Sequence, residues 1–370
     1  MRNPFKQFNS GRAVLFLVAL IALFMTGAVL KLIAVVILPF VIAVFLALAM
    51  TPMVQLLVKL KIPRAFSIIL AGLIVIAGLM VFGVVFFNSA RSILRVYPYY
   101  EARMTEIFIW LSAFFDLSFD DELSFLQNVW AQAGIRTQIQ IYTFTLTNQF
   151  MNFIRDAVMV VLFLVFLLFE AALIKEKLSV AFEGKWAGNI WKMSTDIMHQ
   201  VSRYISIKFF LSLITGLIVG VFLQFIGMEF AAVWAILQFF LNFIPTLGSI
   251  AIGVLVSLYA LIQFWPEPGP VFLTVLVMLG TNMVIGNILD PKITGDGLGL
   301  SPITILLSLI IWGWIWGFAG MVLAVPMMVI IKIGCENFPV LEPISILLGS
   351  RRSVLAKKAQ YEEEEKSEKR

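Results

Sequence analysis

The chain has 370 residues, of which 61% are hydrophobic and only 13% are charged. A soluble domain of this size cannot bury so much apolar surface, so the composition predicts a polytopic membrane protein with an all-α fold. The single Cys335 and the single His199 exclude a disulfide framework and any metal site built from several Cys or His ligands. The net charge of +5 favours membrane lipids over nucleic acid as a partner.

Six long apolar stretches predict helices that cross the membrane completely. The first follows a basic N-terminus but lacks a small-residue cleavage pattern, so we expect an uncleaved helix. About 20 residues suffice for one crossing. The six predicted full spans are Ala13 to Leu30, Leu32 to Leu57, Phe66 to Asn88, Ala157 to Ile174, Phe209 to Ile226 and Val271 to Leu289.

The distribution of basic residues predicts the orientation. Residues 1–12 carry Arg2, Lys6 and Arg12 without an acidic residue, and the loop after the second span is also basic. Lys and Arg concentrate in cytoplasmic loops, so we expect both segments in the cytoplasm and residues 89–152 outside. The pattern then predicts a protein of the inner (cytoplasmic) membrane with both termini in the cytoplasm.

Two further uncharged blocks, Phe230 to Pro266 and Gly297 to Ile331, are too long for one crossing and short for two. Residues that disrupt helices interrupt the first block around 242–248 and the second around 313–320. We therefore expect two re-entrant helical hairpins, which makes eight hydrophobic units with the six full spans. One long tilted helix per block, kinked at Pro or Gly, is the alternative.

The hydropathy pattern divides the chain into five regions. A span followed by a hairpin occurs twice with opposite orientation, and inverted repeats of this kind place a site near the membrane midplane. The regions are a three-span scaffold (1–90), an extramembrane amphipathic helical arm (91–152), the fourth span with a cytoplasmic amphipathic linker (153–208), a transport unit of two span-plus-hairpin repeats (209–333), and a cytoplasmic tail (334–370) with disorder expected from about residue 351.

Polar side chains in these apolar segments predict the candidate substrate site. Such residues are costly in a membrane and commonly face a partner or a cavity. Interhelical hydrogen bonding is the alternative role for the four amides. The predicted substrate-binding residues are Gln238, Asn242, Pro245, Thr246, Asn282, Asn287 and Gly317.

Asp290 is the candidate ion-coupling residue, because it is the one carboxylate between a predicted span and a predicted hairpin. We expect Asp290 and Pro291 to end the sixth span. The alternative role of the carboxylate is a pair with Lys292 or the cap of a turn.

Pairs of small residues predict close helix packing at Gly216/Gly220 and at Gly313/Gly317. The sequence contains no phosphate-binding loop, no zinc-protease helix motif and no nucleophile elbow. We therefore expect no enzyme activity, no cofactor and no metal site.

The motifs around the two breaks resemble those of the autoinducer-2 exporter family, and the similarity extends over nearly the whole chain. One departure is Thr246-Leu247, where the family usually has an aromatic and a small residue. The motifs that carry the resemblance are Leu38-Pro39-Phe40, Ile62-Pro63-Arg64-Ala65, Asn242-Phe243-Ile244-Pro245, Asp290-Pro291-Lys292-Ile293, Leu300-Ser301-Pro302, Trp312-Gly313, Trp316-Gly317, Ala319-Gly320-Met321 and Leu323-Ala324-Val325-Pro326.

The resemblance implies a secondary transporter that forms a homo-oligomer, a pentamer in this family. Members are linked to export of a furanone-like signal and to sodium or lithium/proton exchange. Our leading hypothesis is export of a small polar organic solute by alternating access, coupled to a proton or sodium gradient. The alternatives are a sodium or lithium/proton antiporter, a passive channel, and a membrane scaffold that transports nothing.

Overall fold

The computed structural model describes residues 10–114, 135–170, 173, 176–177, 180, 185–294, 298–338, 340–351 and 353–355. These residues are helical or irregular, and one isolated bridge pairs Leu300 with Gly349. Within them, seven helices are long and apolar enough to cross a membrane. The predicted all-α polytopic membrane fold is confirmed.

The described part of the chain contains eleven numbered α-helices and one π-helical segment. They are α1 Ser10–Leu32, α2 Ala34–Lys59, α3 Arg64–Phe114, α4 Ile135–Glu170, α5 Lys185–Ile226, α6 Ala231–Leu241, α7 Leu247–Phe264, α8 Pro268–Thr281, a π-helical segment Asn282–Leu289, α9 Asp290–Thr294, α10 Pro302–Glu336 and α11 Glu342–Leu348.

The predicted arm begins as an unbroken extension of the third span. Helix α3 has 51 residues, which corresponds to about 76 Å and exceeds twice the thickness of a bilayer core. Helix α4 pairs with it through the rings of Phe82 and Phe153, whose centroids are 5.2 Å apart. The turn expected around 116–121 lies outside the described residues.

The predicted linker and the fifth span also form one helix. Helix α5 has 42 residues, about 63 Å, and continues without a break through the predicted boundary between the linker and the transport unit at residues 208 and 209. Its first half therefore extends beyond the span expected from Phe209 to Ile226.

The described chain divides into two compact units, one formed by residues 1–44 and 300–370 and the other by residues 45–299. The larger unit has an apolar core where α5, α6, α7 and α8 meet. A Cβ atom at Gly216 would lie 2.8 Å from the Ala235 carbonyl oxygen, and one at Gly220 would lie 2.7 Å from the Ala235 Cβ atom. The predicted close packing at this pair is confirmed. The fully buried core residues include Val219, Leu223, Ile252, Val256 and Ala260.

The first interrupted block, in the larger unit, folds back on itself. The rings of Trp234 in α6 and Tyr259 in α7 lie 5.1 Å apart between centroids. At the open end, Gln263 accepts a hydrogen bond from the backbone N–H of Glu229 and donates one to the Gly227 carbonyl oxygen, each at 2.9 Å. The alternative of one long kinked helix is therefore wrong for this block.

The second block, in the smaller unit, also folds back, within α10. The Ser308 hydroxyl donates to the Ala324 carbonyl oxygen at 2.7 Å, although a straight helix would hold these residues about 24 Å apart. Trp316 and Gly317 have non-helical backbone angles at the turn. Both blocks are thus helical hairpins, and their re-entrant placement in a bilayer stays a prediction.

Gly317 has a different role from the packing role we expected. No atom outside its immediate neighbours lies within 4 Å of a Cβ at this position, but its φ is 61° and its ψ is −139°. Residues other than glycine rarely adopt this conformation because their Cβ atom clashes, so the backbone of the turn requires glycine at position 317. Gly313 does contact the returning arm, since a Cβ there would lie 2.9 Å from Met321 Cγ.

The sixth span does not end at Asp290 and Pro291 as we expected. The chain changes to π-helical geometry over Asn282–Leu289 and continues as α9 to Thr294. The Asp290 N–H donates to the carbonyl oxygen of Ile285, five residues earlier. Proline is tolerated in the first turn of a helix, because an N–H has no intrahelical partner there.

The tail contains a further helix after α10. Helix α11 covers Glu342–Leu348, and residues 351 and 353–355 are also helical, while the disorder expected from about residue 351 stays a prediction. The last fifteen residues lie outside the described part of the chain.

The hairpin turns predict a pattern of glycine tolerance. Gly317→Ala should destabilise the protein by about 1–3 kcal/mol through backbone strain alone. Gly320→Ala should be more severe, because a Cβ would lie 1.9 Å from the Trp312 carbonyl oxygen. The measurement is the thermal transition of the purified protein, followed by tryptophan fluorescence.

Gly280→Ala is the matched control, because nothing lies within 4 Å of a Cβ at this helical glycine. It should leave the transition unchanged or raise it, since alanine favours helix by about 1 kcal/mol. Equal transitions for Gly317→Ala and Gly280→Ala would contradict the conformational role of Gly317.

Candidate functional site

A buried polar network lies at the break between α6 and α7. Asn242 is 5% exposed. Its Nδ2 atom donates to Ser212 Oγ in α5 at 3.0 Å, and its Oδ1 atom accepts a longer hydrogen bond from Ser249 Oγ in α7 at 3.4 Å. The amide thus joins three helices at the point where the chain reverses.

Asn282 extends this network to the sixth span. Asn282 is the first residue of the π-helical segment, and its Nδ2 atom donates to the Ser249 carbonyl oxygen at 3.2 Å. The structure therefore brings the predicted residues Asn242 and Asn282 together through Ser249. We did not predict Ser212 or Ser249, because serines in apolar helices commonly bond only to their own backbone.

Gln238 lies one turn before Asn242 and is completely buried. Within the described residues, neither its Nε2 nor its Oε1 atom has a hydrogen-bond partner, and the same holds for Trp234 Nε1 one turn earlier. An unsatisfied buried polar group costs about 1–3 kcal/mol, and in native proteins it commonly has a role involving water, an ion or a ligand. Gln238 is therefore the candidate side chain with free hydrogen-bonding capacity.

The backbone at Thr246, which follows Pro245, adopts an uncommon conformation. Thr246 has φ 61° and ψ −55°, and its side chain is exposed. A positive φ at a β-branched residue is a genuine outlier, and such strain clusters at functional sites. A Cβ at Gly248 would lie 1.8 Å from the Leu241 carbonyl oxygen, so only glycine fits where the two arms meet.

The remaining predicted substrate-binding residues lie apart from this network. The side chain of Asn287 is exposed in the π-helical segment. Gly317 belongs to the smaller unit, where it forms the turn of the second hairpin.

Asp290 pairs with Lys208 and not with Lys292. Lys208 Nζ lies 2.5 Å from Asp290 Oδ2, and the two side chains are 5% and 23% exposed. Lys292 is exposed. Sequence reasoning missed Lys208, because it was counted as the last charge of a cytoplasmic linker. A lysine buried in a membrane helix marks a functional site by default, and Lys208 lies one turn from Ser212 on α5.

The tip of the second hairpin contacts the last turns of α1. Trp316 Nε1 donates to the Leu30 carbonyl oxygen at 3.2 Å, and Lys31 Nζ lies 4.4 Å from the ring centroid of Trp314. The Trp312 and Trp316 rings are 5.0 Å apart between centroids. These contacts fix the turn to α1.

A second polar cluster joins the extension of α3 to the open end of the first hairpin. The Tyr100 hydroxyl donates to the Glu229 carboxylate and lies 2.6 Å from the Tyr259 hydroxyl. Burial, together with the hydrogen bond to Glu229, raises the pKa of Tyr100 far above its ordinary value. The phenol is therefore a permanent donor, and the cluster holds the extension of α3 against the hairpin.

The family model described as AI-2E family transporter matches residues 15–339. The chain is 28% identical over 355 residues to the AI-2 transport protein TqsA of Escherichia coli, covering 94% of this chain and 98% of that protein. It is 31% identical over 353 residues to a putative transport protein of Haemophilus influenzae, covering 93% and 97%.

A putative transport protein of Borreliella burgdorferi is 36% identical over 202 residues, and this match covers 55% of the present chain and 56% of that protein. The family match spans both hairpins and the buried polar network. The chain therefore belongs to the AI-2E family of membrane transporters.

Proposed function

We propose that the protein is a secondary transporter of the cytoplasmic membrane that exports a small polar organic solute similar to autoinducer-2. The buried polar network at the break of the first hairpin carries this proposal. Irregular backbone at membrane depth is tolerated only where protein or a water-filled cavity satisfies it. Similarity to TqsA, which is named an AI-2 transport protein, supports the solute class.

The side chains around this break suit an uncharged, oxygen-rich solute. Asn242 and Asn282 supply amide groups from two elements, and Gln238 offers a donor and an acceptor that bond to no described residue. Amides both donate and accept, so they can recognise hydroxyl and carbonyl groups together. Export requires that these bonds exchange for water when the site opens.

The two hairpins are the proposed moving parts. We place the N-terminus in the cytoplasm, so the second hairpin enters from that side. Its tip contacts Leu30 and Lys31 at the C-terminal end of α1, so in this proposed orientation the tip lies near the outer end of that span. Alternating access then needs a movement of either hairpin. The remaining helices would be held still by a homo-oligomer, which the family resemblance implies is a pentamer.

Coupling to an ion gradient is proposed at the Lys208–Asp290 pair. A proton or a metal cation that binds Asp290 neutralises its charge, so the attraction that offsets the desolvation of Lys208 is lost. The second candidate function, sodium or lithium/proton antiport, rests on the same pair. In that case the cation itself is the substrate, and the polar network serves only to hold the helices.

The function is tested by transport into inverted vesicles. With an imposed proton or sodium gradient, we expect a labelled furanone-type signal to accumulate above its external concentration, because export from the cytoplasm becomes uptake in this orientation. Equilibration without accumulation would identify a channel, and no movement of solute or cation would identify a scaffold. Sodium-driven proton movement without solute uptake would favour the antiporter.

A pair of asparagine substitutions separates substrate contact from helix packing. Asn242→Leu removes two hydrogen bonds, so it should lower transport. It should also lower the free energy of unfolding by about 1–3 kcal/mol for each buried partner that loses its bond, which a lower thermal transition would report. Asn287→Leu replaces an exposed side chain, so it should leave the thermal transition unchanged. The sequence predicts Asn287 as a solute contact although it lies apart from the network, so we expect Asn287→Leu to lower transport. Normal transport by Asn287→Leu would remove Asn287 from the site.

Paired substitutions of the two charges test coupling. Asp290→Asn alone leaves Lys208 buried without its partner and should destabilise the protein by about 3–5 kcal/mol. The double variant Lys208→Gln/Asp290→Asn removes both charges and should restore most of this stability. We expect it to exchange labelled solute across vesicles but to lose accumulation driven by the gradient.

Lys292→Gln, which removes an exposed charge two residues away, is the control and should keep both activities. Full accumulation by the double variant would show that the pair has a structural role only.

A further inference from the structure

A pocket of about 350 Å³ opens beside the N-terminal half of α5, in the larger unit. Six of its lining residues lie on α5, and each has another of the six three or four positions away, so they share one face of the helix. The residues that line it are Asp196, His199, Gln200, Arg203, Tyr204, Ile207 and Leu298. None of them belongs to the polar network or to the Lys208–Asp290 pair.

The polar side chains of this pocket are arranged in two stripes. His199 and Arg203 are one turn apart and form a donor stripe, while Asp196 and Gln200 form a parallel stripe with acceptor oxygens. Among the described residues, no hydrogen bond or ion pair involves these four side chains. Asp196 and Gln200 are half-buried and His199 and Arg203 are exposed, so the hydrogen-bonding groups of all four are available to a ligand in the pocket.

The donor stripe suits an oxyanion. Arginine binds phosphate through two parallel N–H groups, and a histidine one turn away adds a further donor. The acceptor stripe beside it would repel a bare anion, so the ligand must also carry a hydrogen-bond donor next to its anionic group. Asp196 can accept from a hydroxyl or from an ammonium group.

Size and position restrict the ligand further. A volume of about 350 Å³ lies at the lower end of the range for small-molecule pockets, about 300–1,000 Å³. The pocket precedes the predicted start of the fifth span at Phe209. The predicted topology places this half of α5 in the cytoplasm, where basic side chains near membrane helices contact lipid phosphates.

We propose that this pocket binds a phosphate ester that carries a hydroxyl or an ammonium group a few bonds from its phosphorus, as in glycerol phosphate or phosphoethanolamine. The phosphate contacts Arg203 and His199, and the hydroxyl or ammonium donates to Asp196. A free metabolite and a lipid headgroup share this chemistry. The site does not depend on the proposed transport function.

Binding is tested on the intact, delipidated protein in detergent and needs no transport assay. We expect glycerol 3-phosphate and O-phosphoethanolamine to raise the thermal transition with a saturable dose dependence, and glycerol or ethanolamine to have no effect. Arg203→Gln should weaken binding at least about ten-fold, because it removes a charge-assisted pair of hydrogen bonds. Asp196→Asn should remove the preference for these esters over inorganic phosphate.

Lys292→Gln is the matched control, because it removes an exposed positive charge that does not line the pocket. It should bind both esters as the unchanged protein does. All variants should have the thermal transition of the unchanged protein without ligand, since the replaced side chains make no contact that stabilises the fold.

A second arm of the experiment identifies the source of the ligand. The protein is reconstituted in nanodiscs of phosphatidylcholine with added phosphatidylethanolamine or phosphatidylglycerol, and the retained lipid is counted by native mass spectrometry. Retention that depends on Arg203, without binding of the free esters, assigns the pocket to a lipid headgroup. Binding in neither arm, or equal binding by Arg203→Gln and Lys292→Gln, overturns the proposal.

Discussion

One face of α5 makes the contacts on which the larger unit depends. Lys208, Ser212, Gly216 and Gly220 follow one another at intervals of four residues and therefore lie along one side of the helix. They contact, in this order, Asp290, Asn242 and, for both glycines, Ala235. The charge and the hydroxyl satisfy buried polar partners, while the glycines let the backbones approach. A shift of one residue along this helix would break both polar contacts.

The two hairpins solve the same steric problem with different residues. In each, a glycine on the returning arm faces a carbonyl oxygen of the first arm, since Cβ atoms at Gly248 and Gly320 would lie 1.8 and 1.9 Å from Leu241 and Trp312. The first turn combines Pro245 with a positive φ at Thr246, whereas the second uses the freedom of Gly317. Chain reversal thus depends on glycines more than on the proline that interrupts the sequence pattern.

The sequence predicted which polar residues make contacts inside the fold better than it predicted their partners. Asn242 and Asp290 stand out because a polar group in an apolar segment carries a desolvation cost that is visible in the sequence. Their partners do not stand out, since Ser212 and Lys208 are 30 and 82 residues distant along the chain. The break at 242–248 was predictable from local residue types. The π-helical segment was not, because it depends on how Asp290 and Asn282 are held by other helices.

The buried ion pair lies where the sixth helix is least regular. A π-helical segment precedes Asp290 and Pro291 follows it, so the backbone on both sides departs from ordinary α-helical hydrogen bonding. Lys208, by contrast, is held in the middle of an unbroken helix of 42 residues. Asp290 and Asn282 lie on this same irregular stretch of chain, so one element carries both the partner of Lys208 and a member of the polar network, which Asn282 joins at the Ser249 carbonyl oxygen.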